Sequence, residues 1–169
     1  MVRRFTRFAA LVAVGSTALA GCGSDQEAPV AVTTVRLAVV PGAQHGGAPF
    51  TTEMTQEVTH TPPWTGDADG TGWALITVNR GQREVCWDLS VSNIQLPASL
   101  SHIHRERPGY RGAVVVTLSP PDASGTASGC VSDQDPALLD EIVESPESFY
   151  VNVHNAPYPA GAVRGQLAR

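Results

Sequence analysis

Three histidines lie on two segments that both show the alternating pattern of β-strands. His102 and His104 are separated by one residue, and His154 ends a segment in which Tyr150 and Asn152 occupy the alternate positions. Alternate side chains of a strand point to the same face, so His102 and His104 share one polar face and His154 lies on another. If the apolar faces pack inward, these polar faces can converge. The pattern predicts either a metal site or a hydrogen-bonded polar cluster.

The metal interpretation requires three or four ligands that converge on one ion at about 2 Å. Imidazole ligands suit Cu(II) or Zn(II), and Glu106 adds a carboxylate to the face of His102 and His104 if the strand continues that far. In the competing interpretation the histidines bond to backbone carbonyls, and Asn152 and Arg164 act with them as a structural clamp. The sequence leaves both interpretations open.

The N-terminus has the pattern of a bacterial lipoprotein. Three arginines precede an apolar stretch over residues 8–20, which is too short to span a bilayer. The next residues complete the sequence Leu-Ala-Gly-Cys, which resembles the lipobox. That resemblance implies cleavage before Cys22 and diacylation of its thiol, and two or three acyl chains give stable membrane attachment. We therefore expect a cell-membrane protein that is lipid-anchored on the extracytoplasmic face.

The chain then divides into three parts. Residues 1–21 are the expected lipoprotein signal peptide, and residues 22–50 are the expected lipidated cysteine and flexible tether. Within the tether, residues 30–40 are apolar enough for an early strand, whereas Gly42–Pro49 is typical of a linker. Residues 51–169 form one expected domain of ordinary size.

The cysteine count predicts a disulfide. Of the three cysteines, Cys22 is assigned to lipid, which leaves Cys86 and Cys130 as an even pair in an oxidising compartment. A bond between them closes a loop of 45 residues, counting both cysteines. The chain-entropy model assigns about 4 kcal/mol of stabilisation to a loop of that size.

Charge and motifs exclude several classes of function. The chain carries a net charge of −5, and removal of the three arginines of the signal peptide leaves −8. An acidic domain argues against nucleic acid as a partner. The sequence has no G-x-S-x-G motif, no cysteine left as a nucleophile, no marked carboxylate pair and no phosphate loop. We therefore expect no catalytic residues and no enzymatic activity.

The domain is predicted to be all-β. Strands are expected over 73–78, 84–91, 113–118, 125–131, 149–154 and 162–167. A short crossover helix is expected after Asp135, the predicted N-cap, and ends before Pro146. Together with the strand-like segment of His102 and His104, these make seven or more short strands with turns between them, which indicate a β-sandwich or barrel.

Four motifs then match a known family. They are Ser-His-Ile-His at 101–104, Pro-Gly-Tyr-Arg-Gly-Ala-Val-Val-Val at 108–116, Tyr-Val-Asn-Val-His at 150–154 and Pro-Ala-Gly-Ala-Val-Arg-Gly-Gln-Leu at 159–167. Together they resemble the CHRD (chordin-type) domain over about residues 55–168. The resemblance implies an immunoglobulin-like or superoxide-dismutase-like β-sandwich, and it implies no reaction. Glu106 departs from the family, which usually has glycine there.

Three functions follow as hypotheses. The first is a non-enzymatic binding module whose partner is an unknown envelope or extracellular protein. The alternative is a copper- or zinc-binding domain that uses His102, His104 and His154, with redox activity as an option. The third is a purely structural envelope protein without a ligand. No cofactor other than copper or zinc is indicated.

Overall fold

The computed structural model describes residues 46–60 and 65–169. The predictions for the signal peptide, for lipidation of Cys22 and for a strand over 30–40 fall outside these residues. Within them the chain forms one eight-stranded antiparallel sheet. The strands are β1 (Ala48–Gln56), β2 (Thr71–Asn79), β3 (Glu84–Ser92), β4 (Leu100–Arg105), β5 (Ala113–Leu118), β6 (Thr126–Val131), β7 (Phe149–His154) and β8 (Val163–Gln166).

The strand order in the sheet is β5-β4-β7-β8-β1-β2-β3-β6. The sheet folds over on itself, so that the edge strands β5 and β6 approach one another. β1 is the strand that joins the two halves, because it pairs with β2 along most of its length and with β8 at its end. We call β2, β3 and β6 the disulfide half and β4, β5, β7 and β8 the histidine half.

Side-chain alternation sets which face of each strand is buried. In β3, Val85, Trp87, Leu89 and Val91 point into the core, and Ser90 is exposed on the other face. In the histidine half the core residues are Ile103 of β4, Val151 and Val153 of β7, and Val163 of β8. A single core therefore fills the space between the halves, and the histidines of β4 and β7 point away from it.

β1 differs from the sequence prediction. The strand begins at Ala48, so the last two residues of the predicted linker are part of the sheet. Phe50, Thr52 and Met54 alternate as its buried residues. Burial of Phe50 and Met54 explains the early start, because both side chains join the common core.

The helix α1 (Pro136–Glu144) follows the prediction. The carboxylate of Asp135 accepts a hydrogen bond from the Ala137 amide, and Pro136 occupies the first turn. Leu139 and Ile142 are buried against the core. The observed architecture, an all-β sandwich with one short helix, confirms the predicted fold class. None of the described residues forms a helix that is both long enough and apolar enough to cross a membrane.

Candidate metal centre

β4 and β7 are hydrogen-bonded neighbours, and their pairing places the three histidines on one surface. His102 lies opposite Asn152, His104 lies opposite Tyr150, and Leu100 lies opposite His154. Residues that face each other across an antiparallel pair project to the same side of the sheet. The histidines of the two sequence segments therefore converge on the outer face of the histidine half.

The three imidazoles are close enough to share one ion. One nitrogen from each ring lies within 4.8 Å of a nitrogen from each of the other two. His102 Nδ1 and His154 Nε2 are 3.3 Å apart. Ligands bound at about 2 Å to one ion lie about 3–4 Å from one another, so only small movements are needed to close the set.

Two backbone carbonyls fix the orientation of His104 and His154. His104 Nδ1 lies 3.0 Å from the carbonyl oxygen of Gly112, and His154 Nδ1 lies 3.1 Å from that of Pro159. A carbonyl can only accept, so Nδ1 of each neutral ring carries the proton. The Nε2 atom of each ring then carries no proton and has a free lone pair to offer. Metal-binding histidines are held in this way, with the second nitrogen donating to a carbonyl or carboxylate.

The Nε2 lone pair of His104 has no protein partner. The atom is buried and makes no hydrogen bond, and the residue as a whole is only 9% exposed. A buried polar atom without a partner costs free energy, and native structures contain few of them. The unpaired atom lies in the group of three convergent imidazoles.

Burial keeps the three rings neutral. Desolvation lowers the pKa of His102 and His104, and it lowers the pKa of His154 to about 4. The neighbouring histidines lower the pKa of His154 further, against the hydrogen bond to Pro159. The rings are therefore in the unprotonated state that metal binding requires at neutral pH.

The loop over residues 106–112 supplies the carbonyl that holds His104. A Cβ atom at Gly112 would overlap the carbonyl of Arg105, so only glycine fits where this loop meets β4. The Gly112 amide donates to the Tyr150 hydroxyl at 3.2 Å. The ring of Tyr150 in turn stacks on that of His104, with centroids 4.8 Å apart and planes 3° apart.

Arg164 clamps the same loop. Its guanidinium donates to the carbonyl of Tyr110 at 2.7 Å and to that of Arg107 at 3.0 Å. The guanidinium carbon also lies 3.3 Å from the centroid of the Tyr150 ring. These contacts are the ones expected of a structural clamp, and they connect β8 to the loop that holds His104.

Asn152, the second predicted clamp residue, has a partner that sequence reasoning missed. Its amide donates to the carboxyl group of Glu57, and both side chains are almost completely buried. Burial raises the pKa of Glu57 to about 7, although Arg164 and Arg111 oppose the shift. No sequence pattern identifies Glu57, because its burial depends on contacts with β7 and with Gly161 that only the fold creates.

Glu106 lies outside the converging set. β4 ends at Arg105, so the strand does not carry Glu106 along the face of His102 and His104. Its carboxylate accepts from the amide of Arg107, and its carbonyl accepts from the Gln166 side chain. Of the four predicted ligands, the structure brings together the three histidines.

The predicted disulfide is confirmed. Cys86 and Cys130 face each other across β3 and β6, with an S–S distance of 2.12 Å. Glu84 lies beside them and completes a second group of potential ligands. That group is not a metal site in this state, because both thiols are consumed by the disulfide.

Comparison with known proteins identifies the family. The family model of the CHRD domain matches residues 50–167, which include all eight strands except the first two residues of β1. Neither the curated proteins nor the solved structures gave a match. The matched region contains the three histidines, both clamp residues and the disulfide. The chain belongs to the CHRD domain family.

Proposed function

We propose that this CHRD domain is a binding module whose ligand is a copper or zinc ion held by His102, His104 and His154. The observation that carries the proposal is the unpaired, buried Nε2 of His104, which lies in a group of three imidazoles whose nitrogens are within 4.8 Å of one another. A purely structural cluster would satisfy this atom with a donor.

The ligand set supports binding without catalysis. Two of the three rings are fixed through carbonyls of the loops that follow β4 and β7, so little order remains to be imposed when the ion binds. His102 is the most exposed of the three and marks the side from which an ion enters. Family membership is in keeping with a binding module rather than with a particular reaction.

The same proposal includes the location. The lipobox-like sequence that ends at Cys22 supports attachment of the module to the membrane through acyl chains, on the extracytoplasmic face. The disulfide between Cys86 and Cys130 is in keeping with an oxidising compartment. Metabolic labelling with a radioactive fatty acid tests the anchor. A Cys22→Ser variant should lose the label, and a label that persists in this variant would exclude lipidation at that residue.

Isothermal titration with Cu(II) and with Zn(II) tests the metal site, on protein purified without a histidine tag. We expect one ion per chain. His102→Ala should weaken binding on the order of 100-fold, since even the supporting partners of metal ligands contribute 10–100-fold. His102 is the variant of choice because it is partly exposed and its removal disturbs packing least.

His60→Ala is the matched control. His60 is exposed and packs edge-on against Tyr110 outside the converging set, so its removal should leave binding intact. Absence of binding of zinc and of copper in either oxidation state by the parent protein, or equal binding by the parent and His102→Ala, would remove the proposal.

A further inference from the structure

We infer that the three-histidine site is built for the monovalent ion Cu(I) in preference to Zn(II) and Cu(II). The inference rests on the proposed function, since it concerns the same three histidines. It follows from the charges around the site, from the number of ligands, and from the apolar side chains at the rim of the site, which are Leu100 and Val114.

The converging ligands are all neutral. The group that the structure brings together contains three imidazoles and no carboxylate. The carboxyl groups of Glu106 and Glu57 are engaged elsewhere: Glu106 accepts from the amide of Arg107, and Glu57 accepts from Asn152. A divalent ion would therefore keep both of its charges in a largely buried position. The Born cost of burying a charge grows with its square, so a monovalent ion is penalised about fourfold less.

The surrounding charges act in the same direction. The Arg164 guanidinium stacks on the Tyr150 ring, whose other contact is the stacked ring of His104. Arg164 is 8% exposed. The carboxylates of Glu57 and Glu106 interact with its charge, but neither forms an ion pair with it. A local field of this sign opposes a second positive charge on the metal.

The rim offers no fourth protein ligand of ordinary strength. Leu100 lies opposite His154 and Val114 lies opposite His104 across the strand pairs, and both are about half exposed. Zn(II) in a three-histidine site completes a tetrahedron with water. Cu(I) carries a single charge and is satisfied by two or three ligands, so an apolar rim does not weaken its binding.

Competition under anaerobic conditions tests the preference. The lipidated full-length protein in detergent micelles is titrated with Cu(I) against a chromophoric cuprous chelator, and separately with Zn(II). Ascorbate serves as the reductant, because a thiol would attack the disulfide. We expect the dissociation constant for Cu(I) to be at least tenfold lower than that for Zn(II), and the potential of the bound couple to exceed that of aqueous copper.

The outcomes separate the two levels of the proposal. Zn(II) or Cu(II) binding that depends on His102 but is tighter than Cu(I) binding overturns the inference and leaves the metal site in place. Absence of binding by any of the three ions overturns both. Cu(I) binding that His102→Ala does not weaken assigns the ion to another part of the chain and also overturns both.

A single added charge provides a second test that leaves the ligands unchanged. Thr117 is exposed and lies opposite His102 across β4 and β5, so Thr117→Asp places a carboxylate beside the site. The carboxylate interacts with one more unit of charge in the Zn(II) complex, so the preference for Cu(I) should fall roughly tenfold. Ser90→Asp, at an exposed position of β3, is the matched control and should leave the preference unchanged. An unchanged preference in Thr117→Asp would contradict the electrostatic argument.

Discussion

The disulfide half and the histidine half share one core but differ on their outer faces. In the disulfide half, Cys86 and Cys130 face each other across neighbouring strands and are joined covalently. In the histidine half, the cross-strand neighbours of β4 and β7 are joined without a covalent bond. His104 and His154 are held through hydrogen bonds to loop carbonyls, and His102 Nδ1 lies 3.3 Å from His154 Nε2. The same sheet geometry therefore supports a covalent link on one side and, on the other, a group of imidazoles in which Nε2 of His104 has no partner.

The difference shows how the two faces divide stability and binding. The disulfide uses the bonding capacity of both sulfurs, and that part of the surface has no chemistry left for a ligand. On the histidine face, the Nε2 atom of His104 and the Oδ1 atom of Asn152 remain buried without partners. Unpaired polar atoms cost stability, and the described residues contain two more of them, Trp87 Nε1 in the disulfide half and Ser101 Oγ in the histidine half. We therefore expect changes in the two halves to act on different properties.

The largest expected effect is loss of the disulfide. The double variant Cys86→Ala/Cys130→Ala should lower the free energy of unfolding by about 4 kcal/mol, because the unfolded chain regains the entropy of an open 45-residue loop. Urea denaturation followed by fluorescence measures the loss. Metal affinity should change less than threefold, since the bond lies outside the histidine half. A large loss of metal affinity would contradict the proposal that changes in the two halves act on different properties.

A smaller effect is expected from the buried carboxyl group of Glu57. Its pKa is raised from 4.5 to about 7 in the folded protein, so the unfolded chain releases this proton at lower pH. The stability that Glu57 contributes is present below pH 4.5 and is lost as the pH rises to about 7. Relative to the parent, Glu57→Gln should gain up to about 3 kcal/mol of stability between pH 4.5 and 7.

Denaturation curves at a series of pH values measure this gain, and Glu53→Gln is the matched control. Glu53 is an exposed carboxyl group of β1, the strand that ends one residue before Glu57, so its variant should follow the parent curve. In the parent, His154 acts in the opposite sense, because its lowered pKa removes stability as the pH falls from 6.5 towards 4. A constant difference between parent and Glu57→Gln across this range would contradict the raised pKa.

The smallest of the three effects is expected from Arg164→Lys. Lysine cannot reach the carbonyls of Tyr110 and Arg107 together while stacking on Tyr150, so stability should fall by about 2 kcal/mol. Arg83→Lys is a close control, because Arg83 also donates to two carbonyls but is exposed. It should change stability by less than about 0.5 kcal/mol. Equal losses of stability in both variants would contradict the larger contribution of Arg164 to the stability of the histidine half.

Most of the fold was predictable because its determinants are local. Alternation identified β3 and β7, the Asp135-Pro136 pair identified the start of α1, and the cysteine count identified the disulfide. β1 was not predicted as a strand, although Phe50 and Met54 alternate within it. Its threonine-rich sequence and the preceding glycines resemble a linker, and only pairing with β2 and β8 makes the segment a strand.

The convergence of the three histidines was predictable from the sequence, whereas the groups that hold them in place were not. The alternation of side chains along the two strands indicated that His102, His104 and His154 could share one face, and the pairing of β4 with β7 places them there. Glu106 was assigned to the same face on the assumption that β4 continues past Arg105, which the turn at Gly109 prevents. Glu57 and the carbonyls of Gly112 and Pro159 carry no sequence pattern, since their roles arise from contacts between distant segments.

The two carbonyls that orient His104 and His154 belong to different loops, so the proposed ion would be coupled to both of them. If either loop opens, a ring loses its orientation and the ion is held less tightly. Linkage is reciprocal, so each tenfold loss of affinity on opening means that the bound ion favours the closed loop by about 1.4 kcal/mol. A macromolecule that binds residues 106–112 or 155–161 and holds that loop open would thus favour release of the ion without contacting a histidine.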